Sequence, residues 1–104
     1  MLIVALLSLP GPRLRAAEPK ALWDANCTLC HGKEGRADTK IGKAINAKDF
    51  SDAKSQASFT DAQAAAAIKD GAKQNGKTTM PAFGGKLSDE DIKALVAYVR
   101  TLKK

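Results

Sequence analysis

The chain has 104 residues, a formal net charge of +6 and 44% hydrophobic residues, enough for one small domain and too little for a multidomain enzyme. With 27% of its residues charged, it has the composition of a folded chain, not a disordered one. Only Trp23, Phe50, Phe59, Phe83 and Tyr98 are aromatic, so the core is thin. A chain this short ordinarily needs a metal, a disulfide or a prosthetic group as a staple.

In chain order, Leu2 to Leu9 is an apolar run broken only by Ser8, followed by Pro10-Gly11-Pro12 and the small residues Ala16-Ala17. The run is far short of the ~20 residues of a membrane span and fits a secretory leader. No basic residue precedes it, although such leaders ordinarily open with one. Residues 1–17 are therefore expected to be a signal peptide and 18–104 the functional domain. Removing Arg13 and Arg15 with the leader lowers the charge from +6 to +4. Removing Met1 leaves Met80 as the one methionine.

The remainder predicts an all-α fold, since no stretch alternates apolar and polar residues long enough for a sheet. A helix is expected from about Pro19, which suits a first helical turn, toward Cys27. A glycine-containing loop from Gly32 to Asp49 follows, then a short turn of helix after Ser51. The next helix runs from Asp61 to Asp70, opened by Thr60 with Gln63 three residues on and stopped by Gly71. Asn75 to Lys86 is expected to be a loop. The last helix spans about Asp89 to Leu102, capped by Ser88 with three acids in its first turn and a Leu87/Ile92 staple. Its apolar stripe is Ile92, Leu95, Val96, Val99 and Leu102.

Cys27-Thr28-Leu29-Cys30-His31 has the Cys-x-x-Cys-His spacing of a c-type haem attachment site. Cysteines three apart on a helical turn project to one side, suiting two thioethers to neighbouring vinyl groups, and the adjacent His31 then becomes an axial ligand of the iron. Its second ring nitrogen is expected to donate to a backbone carbonyl in the Ala37 to Gly42 segment. Met80 is the remaining soft donor for the opposite axial position, with a lysine as the alternative. Pro81 biases Met80 toward an extended backbone, with Asn75, Thr78 and Thr79 steadying the segment. A His/Met pair raises the reduction potential. A thioredoxin-like dithiol is disfavoured by the lack of a βαβ pattern, and structural zinc by the shortage of ligands.

These residues resemble the class I c-type cytochromes, especially small bacterial monohaem carriers. The resemblance rests on Leu22 to Gly35 around the cysteine motif, on Met80-Pro81-Ala82-Phe83-Gly84, and on Leu87 to Ile92 with Leu95 to Val99. It implies a cytochrome c-like fold in which N- and C-terminal helices cross over a covalently bound haem, with one haem edge near the surface. Three departures stand out. Pro19 occupies the place of the usual glycine at the helix crossing. Trp23 replaces phenylalanine or tyrosine, and is expected to pack against Tyr98 or Leu95 instead of bonding a haem propionate. The loop after Gly35 lacks the proline that often accepts from the histidine.

The expected function is that of a periplasmic, monomeric one-electron carrier, not an enzyme, with haem c on Cys27, Cys30, His31 and Met80. Exposed lysines, among them Lys33, Lys40, Lys77 and Lys86, are expected to steer it to acidic patches on an oxidase, peroxidase or reductase. Nucleic acid is disfavoured, because no aromatic residues interleave with a basic cluster. Stable membrane insertion is not expected. Phe50, Phe59, Phe83, Ile41 and Ile45 are expected to be ordinary core residues. The rival is a five-coordinate haem peroxidase or gas sensor, which would need a distal acid–base group that no second histidine supplies.

Overall fold

A computed structural model describes residues 18–104; the expected leader at 1–17 lies outside them. Six helices and one hairpin follow in order: α1 (Pro19–Asn26), α2 (Thr28–His31), α3 (Lys40–Ala44), α4 (Ala53–Ala57), α5 (Asp61–Asp70), β1 (Ala72–Gln74), β2 (Lys77–Met80) and α6 (Asp89–Thr101). The expected cytochrome c-like arrangement is present, with α6 packed across both α1 and α5.

The long helices begin where their caps dictate. Ser88 accepts from the Asp91 N–H at 3.0 Å while Asp91 accepts from the Ser88 N–H at 3.2 Å. Thr60 and Gln63 make the same reciprocal pair at the start of α5. Each box satisfies backbone donors that a helix start leaves unpaired. Helix α1 opens with Pro19 in its first turn and has only eight residues, shorter than α6 because its sequence passes directly into the cysteine motif.

The core gathers Trp23 from α1, Ile68 from α5, Phe83, and Ile92, Leu95, Val96 and Val99 from α6. Leu95 is 1% exposed and Trp23 2%, and burial of such side chains is worth about 1.5–3 kcal/mol each. Trp23 packs against Tyr98 at 5.7 Å between ring centroids, as expected. Phe83 is buried, while Phe50 and Phe59 pack against the cluster from its rim. Ile41 departs from expectation. It is 41% exposed, because α3 presents its Gly42 face, not its isoleucine, to the neighbouring turn.

Two segments expected as loops carry regular structure. Lys40–Ala44 forms α3, capped by Thr39, whose hydroxyl accepts from the Gly42 N–H at 2.9 Å. The expected all-α fold holds, with one small addition that the sequence reading did not include, the antiparallel pair β1–β2. Its turn is Asn75-Gly76, with φ of 52° and 77°, and positive φ at both central residues is the signature of a type I′ hairpin turn. The strands are too short for alternation to show in sequence. The register runs Gln74↔Lys77 and Lys73↔Thr78, then jumps to Ala72↔Met80. Thr79 is the extra residue of this bulge, and its hydroxyl donates to the Ala72 carbonyl at 3.3 Å.

Leu95→Ala is expected to lower stability by about 2–5 kcal/mol through cavity formation, read as a reduced midpoint in denaturant titration of the matured protein.

Candidate functional site

The cysteine motif continues α1 through a helical turn. The Cys27 N–H donates to the Trp23 carbonyl at 2.9 Å, and the His31 N–H donates to the Cys27 carbonyl at 2.9 Å. Cys27 thus ends α1 and starts α2. This keeps residues 27 and 30 one turn apart, the spacing on which two-point attachment depends. Both cysteines are half-buried free thiols. Burial, then the neighbouring Cys30, pushes the Cys27 thiol up to about 11, so at neutral pH it is protonated.

His31 closes α2, with its imidazole between two rings. Phe50 stacks on it at 5.0 Å with a 26° interplanar angle, and Trp23 lies at 5.7 Å. Burial lowers its pKa, leaving the ring neutral at pH 7. The expected acceptor in the Ala37 to Gly42 segment is not found: His31 Nδ1 is buried with no hydrogen-bond partner. That segment meets the motif through its donors instead. The Ala37 N–H donates to the His31 carbonyl at 2.9 Å, and the Thr39 hydroxyl to the Cys30 carbonyl at 2.8 Å. The carbonyls left open at the end of a helix are satisfied in this way, which draws α3 against α2.

Gly42 permits that approach. A Cβ at this position would lie 2.2 Å from the Cys30 carbonyl oxygen and 2.9 Å from Thr39 Oγ1.

Trp23 locks the exit of the turn. Its indole Nε1 donates to the carbonyls of Gly32 and Lys33, both at 3.1 Å. The indole donor is thereby used on backbone, in keeping with the core role expected for it. Opposite the motif in sequence, Met80 ends β2, half-buried and packed against the same core as Cys27. The hairpin explains its placement better than a loop would: the turn fixes the register, and the bulge at Thr79 re-aims the next side chain. Gly71, which stops α5 as expected, lies so close that a Cβ there would be 2.6 Å from the Met80 carbonyl.

The donor set fits a haem c. It offers two thiols at attachment spacing, a neutral imidazole directly after them, and a thioether on the same apolar cluster. Among the described residues, no cluster of three or more His, Cys, Asp or Glu side chains suits a bare metal ion. Lys33, Lys40, Lys77 and Lys86 are all exposed. Sequence reasoning passed over Gly42 and Gln56. The first gave no signal, because a close approach is visible only in three dimensions.

Residues 14–99 match the family model described as cytochrome C oxidase, cbb3-type, subunit III. The chain belongs to the c-type cytochrome family. It is 36% identical to cytochrome c6 of Picosynechococcus sp. over 96 residues, covering 81% of this chain and 70% of that protein. It is 38% identical to cytochrome c-553 of Helicobacter pylori, covering 86% and 83%. The solved structure of KustC0563 c-type cytochrome superposes with a TM-score of 0.73 at 34% identity, over 84% of this chain and 99% of that one. Family membership makes this a small electron-carrying haem protein, not an enzyme. It implies covalent haem c and redox partner proteins. No helix among the described residues is long and apolar enough to cross a membrane.

Gly42→Ala is expected to destabilise by about 1–3 kcal/mol through overpacking, outweighing the ~1 kcal/mol by which alanine favours a helix. Gly85→Ala, whose Cβ would meet nothing within 4 Å, is expected to stay within about 0.5 kcal/mol. Thermal melts of the two variants check the contrast.

Proposed function

We propose that this chain is a periplasmic one-electron carrier with a single haem c, bound through thioethers at Cys27 and Cys30 and held axially by His31 and Met80. Residues 1–17 are its export leader and 18–104 its haem domain. The reading is supported above all by the His31 imidazole, held neutral by burial and stacked on Phe50 at the end of the two-cysteine turn. Met80 on the same core supports the second ligand.

When bound, the haem supplies an iron couple that takes up and releases one electron. The chain's own side chains set the conditions. His31 offers a nitrogen lone pair with no proton to lose first. The Met80 thioether is a soft, weak donor that favours the reduced iron and raises the potential. The apolar wall of Trp23, Phe50 and Leu95 excludes water and adds to this by disfavouring the extra charge of the oxidised state. With His31 and Met80 both holding the group, the chain would leave no donor position open to a substrate. Lys33, Lys40, Lys77 and Lys86 steer the protein to acidic patches on its partners, an effect that weakens as salt rises.

A ferric spectrum of protein matured in a periplasm tests the ligand set. A thioether-to-iron charge-transfer band and resistance to added ligands are expected. Met80→Ala is expected to lose the band and lower the midpoint potential by more than about 59 mV, a tenfold change in a one-electron equilibrium. An unchanged spectrum in that variant removes Met80 from the ligand set. High-spin iron with rapid peroxide turnover in the unsubstituted protein would favour the five-coordinate rival.

A further inference from the structure

The geometry points to Gln56 as a positioning residue for the His31 imidazole, acting through the Phe50 ring. The inference rests on the His31 ligation proposed above and goes beyond it, naming what holds that ring in one orientation.

Gln56 is the buried polar side chain of the core, at 6% exposed. A leucine or methionine would fill its place without the cost of desolvating an amide, so its hydrogen bonds are the feature to explain. Its Nε2 donates to the Phe50 carbonyl and to the Val99 carbonyl, both at 2.8 Å. Its Oε1 accepts from Arg100 Nη1 at 3.0 Å. Arg100 itself is fixed by Asp61 at 2.8 Å, by the Phe59 carbonyl at 2.8 Å, and by the Phe59 ring 4.3 Å from its guanidinium carbon. One buried amide therefore ties α4 and α6 to the backbone of residue 50.

Phe50 is clamped from both sides, since its N–H also donates to the Gly35 carbonyl at 2.7 Å. Its ring has Phe59 at 5.8 Å and Trp23 at 6.3 Å as edge contacts, and it stacks on His31 at 5.0 Å. The terminal torsion of a histidine side chain is broad, and a hydrogen bond from the second ring nitrogen commonly fixes it. His31 Nδ1 makes no such bond. The Phe50 face supplies the missing constraint, and Gln56 holds the residue that carries it. The orientation of an axial imidazole governs its π overlap with ferric iron, which is read in the spread of the haem methyl proton shifts and in the rhombicity of the electron paramagnetic spectrum.

The test uses the matured, full-length protein with haem attached. Phe50→Leu and Gln56→Met are expected to alter the haem methyl spread and the rhombicity in the same direction, whereas Phe50→Tyr, which keeps the ring, is expected to reproduce the unsubstituted pattern. Arg100→Ala leaves the Gln56 amide with one partner fewer and is expected to give a smaller change of the same sign; it carries the test if Gln56→Met does not fold. A folded Phe50→Leu with unaltered spectra overturns this inference alone, as does an unaltered Gln56→Met, or an unaltered Arg100→Ala where Gln56→Met fails to fold. Lower melting temperatures with unmoved spectra show a merely structural role and overturn it too. A matured wild-type protein that carries no covalent haem overturns this inference together with the function it rests on.

Discussion

The packing of Trp23 beneath α6 is the constraint from which the rest of the structure follows. One side chain at 2% exposure meets Tyr98 of α6, Phe50 of the central segment and His31 of the site. Its indole N–H binds the two carbonyls that follow the cysteine motif. An aromatic residue of this size buries 150–250 Å2 in general, and its polar edge needs a partner once buried. Both requirements are met by the same turn, so the core that stabilises the domain also fixes the position of its chemistry. A phenylalanine would supply the first and not the second.

A division of labour separates the two sides of the site. The cysteine side is built by local contacts: successive i to i+4 bonds carry α1 through Cys27 into α2, and α3 closes against it where Gly42 leaves room for the Cys30 carbonyl. The methionine side is built by a hairpin whose turn, bulge and following proline leave Met80 in a narrow range of positions. Neither side relies on ion pairs. Those in the structure lie at the surface with their side chains largely exposed, where such pairs contribute about 0–1 kcal/mol. The partial exception is Arg100, which reaches the buried Gln56.

Much of this was legible in the sequence for physical reasons. The α5 and α6 starts are local events, written in Thr60/Gln63 and Ser88/Asp91, and the stripe along α6 follows from helical periodicity. The attachment motif is contiguous, so its spacing translates directly into geometry. The hairpin was missed although Asn75-Gly76 signals it, because strands of three and four residues carry too few positions for a period of two. The exposed Ile41 and the absent acceptor for His31 depend on how α3 sits against α2, a tertiary fact. Gln56 was invisible for the same cause: a lone glutamine reads as surface until Phe50, Val99 and Arg100 converge on it.

Because Trp23 near one end of the described chain is covered by the helix at the other, the order in which the polypeptide is made matters. Until the final thirteen residues of α6 are available, the indole lacks its lid and the adjoining turn lacks its support. Both thiols lie on that turn, so their setting is complete only when the two ends of the described chain have met. The last described helix thus acts as a latch on the turn that carries them.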